Sequence, residues 1–388
     1  MLRNPLRTDA IELPPADPGV WAFHRRMPAY APTPLYDCPG LAERLGIGRL
    51  LVKAETQRMG LPSFKILGAS WATYRAISDH LGVEPTDWAN TSQLARQLEH
   101  LKPFALAAAT DGNHGRAVAY MARLLGFECR IFVPDGMVPA RIEGIESEGA
   151  SVTVVSGDYD AAVARSAEEA SDRCLVISDT SWPGYDTTPR RVVEGYTTIF
   201  NEVDAAVAAA GMAAPDVVVV PVGVGAFMAA AVSHLRRRPS PPAIVGVEPA
   251  DADCVLQSAR AGDLVTVPGP HRSIMVGLNC GTPSVVVWPT VSAGVDWFTS
   301  VGDDWARRAM VDLAGAGVVS GETGAAALGG LTALLDAPEG SEFREAGVIG
   351  PGSTVLAIVT EGATDPVAYE QIVGRPAEQV GTVLTLAR

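Results

Sequence analysis

Lys65 stands in Pro62-Ser63-Phe64-Lys65-Ile66-Leu67-Gly68-Ala69, between an aromatic and an aliphatic residue. The spacing of Ala72, Tyr74 and Ile77 predicts a helix whose first turn carries this lysine. Apolar company strips hydration from an ammonium and favours the neutral amine, a nucleophile toward carbonyl groups. The same spacing also suits a surface lysine that buries only its stem. Four other stretches follow apolar runs. Thr110-Asp111-Gly112-Asn113-His114-Gly115 sets Asp111 and Asn113 on either side of a glycine, where both can face a ligand or form a turn that caps the next helix. Gly223-Val224-Gly225-Ala226-Phe227 is small enough for amides to converge on an anion at a helix start, and is equally an ordinary strand-to-helix turn. It lacks the longer glycine patterns of dinucleotide and nucleoside triphosphate sites, so a single phosphate suits it better. Ser178-Asp179-Thr180-Ser181-Trp182 and Thr360-Glu361-Gly362 add a carboxylate and hydroxyls, residue types that also form turns.

An imine-forming amine, an anion nest, an amide side chain and a neutral hydroxyl together suit pyridoxal 5'-phosphate, with the protein supplying orientation and the cofactor an electron sink. The elements that must position them alternate. Apolar runs at 50–54, 104–109, 129–133, 151–155, 175–177, 217–220, 244–247 and 355–359 predict strands. Helical patterns cover 115–125, 140–148, 161–170, 192–210, 226–236, 305–314 and 325–335, with a short helix at 41–45 closed by Gly46. Continuous apolar runs are what strands covered on both faces require, so the expected class is α/β with parallel sheets. Ligands in such sheets bind at the carboxyl ends of strands, where all four loops fall. Residues 1–34 are proline-rich and are expected to wrap over the surface. Residues 82–103 read as a connector with a helix near 92–101, and 263–296 as a long irregular stretch.

The 388 residues suggest two or three lobes at ~150 residues per domain. A formal net charge of −14 argues against nucleic acid and anionic membrane as partners. The five cysteines, Cys38, Cys129, Cys174, Cys254 and Cys280, are scattered and form no C-x-x-C pair. Neither a disulfide framework nor a metal site is expected, and a cytoplasmic location is. The most apolar run, 217–232, is interrupted by Pro221, Gly223 and Gly225, so no membrane span is expected.

The order of these stretches resembles the tryptophan-synthase-β-like, or fold type II, pyridoxal-phosphate enzymes. Gly277-Leu278-Asn279-Cys280-Gly281-Thr282-Pro283-Ser284 and Ser320-Gly321-Glu322-Thr323-Gly324 belong to the same pattern, which runs from about residue 30 to 370. Within that family the stretches look most like the ammonia-lyases that act on 2,3-diaminopropionate. The resemblance implies two open, mostly parallel α/β domains with the cofactor in the cleft between them: a larger domain from 1–78 and 187–388 and a smaller mobile one from 79–186. Lys65 would carry the cofactor covalently, Asn113 would hold its ring hydroxyl, and the amides of Gly223, Val224, Gly225 and Ala226 would hold its phosphate. Thr360 would face the pyridine nitrogen, Asp111 would be an acid/base group, and Asp179 a second carboxylate lining the substrate pocket. A homodimer is implied as well. Ser63, Ile66, Ala226 and Phe227 depart from the usual pattern.

The expected reaction is α,β-elimination from a small amino acid. An anionic Asp111 would repel a substrate carboxylate by about 4 kcal/mol at about 4 Å for an effective dielectric of about 20. It would favour a cationic β-amino group, and Asp179 adds to that preference, so 2,3-diaminopropionate is the expected substrate. A dehydratase for serine, threonine or 3-hydroxyaspartate, a β-replacement synthase, and a cofactor-binding protein without turnover are the alternatives. Opposed bases, Lys65 and Asp111, would let one site accept both enantiomers.

Overall fold

The computed structural model describes all residues except 111, 158, 337–339, 382–384 and 388. The chain separates into two compact units, each with its own sheet. The first comprises Met1–Ala16, Pro32–Gln57 and Ile199–Arg388, and the second Asp17–Ala31 and Arg58–Thr198.

The first unit is built on an eight-stranded sheet. Its spatial order is Leu2–Arg3, Trp297–Val301, Ala243–Pro249, Val217–Pro221, Thr354–Val359, Arg49–Ala54, Leu35–Asp37 and Thr385–Ala387. The middle five run parallel, and the outer three pair antiparallel. Every residue of Val217–Pro221 is buried, as the uninterrupted apolar run required. Val217 and Val219 share one face with Val245, Val247, Val355 and Ala357, against the buried Ala326, Ala327, Leu328 and Leu331. Fully burying such aliphatic side chains contributes about 1.5–3 kcal/mol each, which is why this seam, and not the short edge strands, holds the sheet together.

The second unit is a four-stranded parallel sheet in the order Ser151–Val155, Glu128–Pro134, Ala105–Ala109 and Cys174–Val176. The helix Lys65–Leu81 packs on the helix Asn113–Leu125. It also meets the first half of the helix Thr187–Ala209 backbone to backbone. A Cβ on Gly68 would lie 2.5 Å from the Tyr196 ring, and one on Gly195 would lie 2.3 Å from the Leu67 carbonyl oxygen. Only glycine at both places allows this approach. These contacts explain where the division differs from the expected one. Residues 17–31, 58–78 and 187–198 group with the smaller sheet, where Lys65–Leu81 packs both on Asn113–Leu125 and on the start of Thr187–Ala209.

Two expectations are corrected. The proline-rich start does more than wrap: Leu2–Arg3 adds an edge strand, and Gly19–His24 is a helix that buries Val20, Phe23 and His24. The stretch 263–296 contains a 3₁₀ turn at Val276–Leu278 and a helix at Trp288–Gly294 with Pro289 in its first turn. The helix Cys254–Ala261 lay outside the expected elements. It forms because the buried Glu248 accepts hydrogen bonds from the Val255 and Leu256 amides, 2.8 Å each, at its otherwise uncapped start.

Candidate active site

In the second unit, Lys65 is the first residue of its helix, as the spacing predicted. Its Nζ lies 2.7 Å from Asp179 Oδ2. The lysine side chain is 22% exposed and that of Asp179 8%. Asp179 sits just past the strand Cys174–Val176, so a strand end delivers the carboxylate and a helix start delivers the amine. His114 joins them. Its Nε2 donates to the Ile177 carbonyl at 2.7 Å, since a carbonyl can only accept, and its Nδ1 stands 3.8 Å from Asp179 Oδ2. Burial alone would push the Asp179 pKa up. The charge of His114, then that of Lys65 together with its hydrogen bond, outweighs burial and holds the carboxyl well below the ordinary aspartate range.

The loop Thr110–Asn113 is set by one hydroxyl: Thr110 Oγ1 accepts from the Gly112 and Gly115 amides, 2.9 Å each. Asn113 opens the following helix beside His114. Asp111 lies outside the described residues. Beyond Asp179, Tyr185 donates its hydroxyl to the Val176 carbonyl at 2.6 Å, and burial pushes its phenol up to about 12. Trp182 stacks on Tyr185 with ring centroids 4.0 Å apart.

In the first unit, Gly223 to Ala226 follow the strand Val217–Pro221 and lead into the helix Ala226–Leu235. Gly225 takes φ +95, which turns the chain into the helix. A Cβ on Gly223 would come within 3.2 Å of Cys280 Sγ and 3.3 Å of the Gly277 carbonyl oxygen, so that position keeps the loop close to its neighbour. Among the described residues, none accepts a hydrogen bond from the amides of Gly223 through Ala226. These donors and the positive end of the helix fit a phosphate. Thr360, directly after the strand Thr354–Val359, is 4% exposed, and its Oγ1 is buried without a partner among the described residues. An orphaned buried hydroxyl costs free energy unless something reaches it, and a pyridine nitrogen is an acceptor of that kind. The residues present therefore fit pyridoxal phosphate.

The same unit holds a second buried amine. Lys53 is 1% exposed, with Nζ 2.7 Å from Glu202 Oε2, 2.8 Å from the Thr33 carbonyl and 3.9 Å from Glu55 Oε1. In the sequence Lys53 reads only as part of a strand, because its anionic partner Glu202 stands far along the chain. The Thr110–Gly115 motif carries His114 as well. The signal was present, since a histidine two residues past a glycine at a strand end sits where the next helix begins.

A family model for pyridoxal-phosphate dependent enzymes matches residues 26–361. A diaminopropionate ammonia-lyase of Salmonella typhimurium is 33% identical over 375 residues, covering 92% of each chain. The crystal structure of Escherichia coli diaminopropionate ammonia lyase in complex with D-serine matches with a TM-score of 0.85 at 30% identity, covering 96% of each chain. The same enzyme in complex with an aminoacrylate-PLP azomethine reaction intermediate matches with a TM-score of 0.84, again at 30% identity and 96% of each chain. Nearly the whole length is matched in each case, and the cofactor the family uses is the one the free amides and the orphaned hydroxyl fit. The chain belongs to the pyridoxal-phosphate dependent enzymes, in their fold type II branch.

Proposed function

We propose that this chain is an ammonia-lyase that cleaves 2,3-diaminopropionate to pyruvate and two ammonia molecules by α,β-elimination. The observation that carries this reading is the buried Asp179 carboxylate, kept anionic beside Lys65. A fixed anion at that place favours a substrate whose β-group is a cation. The likeness to diaminopropionate ammonia-lyases supports the same substrate.

Lys65 would hold the cofactor covalently, Asn113 its ring hydroxyl, the amides of Gly223 to Ala226 its phosphate, and Thr360 its ring nitrogen. Bound there, pyridoxal phosphate supplies a sink for the electron pair released when the Cα proton leaves. With its amine free, Lys65 would take that proton from the L-enantiomer, and Asp111 would take it from the opposite face of the D-enantiomer. Asp179 keeps the β-amine as an ammonium, so the Cβ–N bond breaks with its electron pair going to nitrogen and ammonia departs neutral. The leaving group therefore needs no separate acid. Hydrolysis of the released aminoacrylate gives pyruvate and the second ammonia.

A homodimer and a cytoplasmic location complete the proposal. The five scattered cysteines, with no C-x-x-C pair, support a reducing compartment. No helix among the described residues is long and apolar enough to cross a membrane.

The test is a substrate panel read as 2-oxo acid release. Pyruvate from diaminopropionate in preference to serine, threonine and 3-hydroxyaspartate supports the reading. Preference for a hydroxy amino acid replaces it with a dehydratase.

A further inference from the structure

Asp179 presents its two oxygens to different partners. Oδ2 faces Lys65 at 2.7 Å and His114 at 3.8 Å, whereas Oδ1 faces the hydroxyl of Tyr159 at 3.4 Å. Tyr159 is half-buried and opens the helix Tyr159–Ala167, just beyond the edge strand Ser151–Val155. No motif pointed to it, and nothing in the reaction above uses it.

The arrangement has a consequence once Lys65 is committed to the cofactor. Its nitrogen is then no longer an ammonium paired with Oδ2, and the aspartate loses its shortest side-chain contact. The terminal torsion of an aspartate is soft, so an unanchored carboxylate swings. His114 on Oδ2, the backbone amide of Asp179 itself and Tyr159 on Oδ1 remain, and of these Tyr159 is the side chain that hydrogen-bonds Oδ1. A hydroxyl at 3.4 Å lies at the long end for an O–H···O bond, and catalytic hydrogen bonds of this length tighten in the complex with substrate.

We propose that Tyr159 is a positioning residue that sets the preference for a cationic β-group. Its phenol anchors Oδ1 so that Oδ2 stays turned toward the place where a β-ammonium replaces the Lys65 ammonium. This rests on the diaminopropionate reading and refines it. A neutral β-group draws little from Asp179, so it is indifferent to how firmly the carboxylate is held.

The test compares wild type and Tyr159→Phe holoenzymes with two ligands of the same length, 2,3-diaminopropionate and 2-aminobutyrate, which carries a methyl in place of the β-ammonium. Dissociation constants come from the shift of the cofactor's absorption band. The expected result is a preference for diaminopropionate that falls about tenfold in the variant, the scale of a hydrogen bond to a charged group. Affinity for 2-aminobutyrate stays the same, and kcat/KM for diaminopropionate falls mainly through KM. Equal weakening of both ligands assigns Tyr159 a merely structural part and overturns the proposal. So does a larger loss of kcat/KM for serine than for diaminopropionate, which makes Tyr159 a proton donor to a leaving hydroxyl. A wild type with no preference for diaminopropionate overturns the substrate reading along with this one, whereas an unchanged preference in the variant overturns this one alone.

Discussion

Lys53 and Lys65 are two amines in apolar sequence, and their surroundings use them in opposite ways. Lys53 is the deeper, at 1% exposure against 22% for the Lys65 side chain. Depth alone would make Lys53 the more strongly desolvated amine and so the better nucleophile. Yet its protons are directed at Glu202, the Thr33 carbonyl and Glu55, and Thr33 also gives its amide to Glu202 at 3.2 Å. A buried cation with that many fixed acceptors is a structural joint, since breaking it leaves bare charge in a dry place. Lys65 instead begins a helix, faces a carboxylate delivered by a strand end, and keeps part of its surface open. On the proposed assignment of Lys65 as the reactive amine, usable reactivity follows from how replaceable the partners are, more than from burial.

The comparison breaks most plainly at Lys65 itself. Lys65→Ala is expected to abolish turnover and covalent attachment of the cofactor. Borohydride reduction and peptide mapping of the wild type should place the label on Lys65, and a label on Lys53 or Lys102 would sink the assignment. Next in size is Asp111→Asn, expected to cut turnover of D-diaminopropionate about 10²–10⁴-fold and the L-isomer less. Equal losses would make Asp111 a substrate holder rather than a base for one face.

Lys53→Met should act on stability, costing about 3–5 kcal/mol in urea denaturation, while the cofactor label on the remaining protein stays on Lys65. Loss of the label without loss of stability would reverse the two roles. The smallest effect concerns pH. His114 and Lys65 hold the Asp179 pKa below its ordinary value of 3.8, so the ionised form stabilises the fold above that value. That contribution fades as pH falls toward the lowered native value. The gap in denaturation midpoint between wild type and Asp179→Asn should therefore shrink once pH drops below about 4. A gap that widens there would contradict the assigned shift.

Much of the fold was legible because strands covered on both faces must be apolar throughout. Val217–Pro221 and Thr354–Val359 announce themselves in this way. The edge strands Leu2–Arg3, Leu35–Asp37 and Thr385–Ala387 did not, since two or three residues carry no readable alternation. Trp288–Gly294 was hidden by the prolines and glycines around it, although Pro289 occupies the one helical turn that tolerates it. At the site, Lys65, Asn113, the Gly223 to Ala226 turn and Thr360 could be singled out as candidates because Lys65 stands in an apolar segment and the others follow apolar runs. Tyr159 and Lys53 could not, because what gives each of them meaning is a partner on another element, Asp179 for one and Glu202 for the other.

The place of Thr354–Val359 in the sheet also has a meaning in time. It lies between Val217–Pro221 and Arg49–Ala54, strands made well before it along the chain. During synthesis those two must wait with facing edges unpaired, a state prone to wrong pairing and slow to resolve. Thr360 emerges one residue after the strand that ends the wait. The proposed partner of the ring nitrogen therefore reaches the growing chain only with the strand that closes the sheet, and a ribosome that stalls before it leaves a protein unable to present a finished floor to its cofactor.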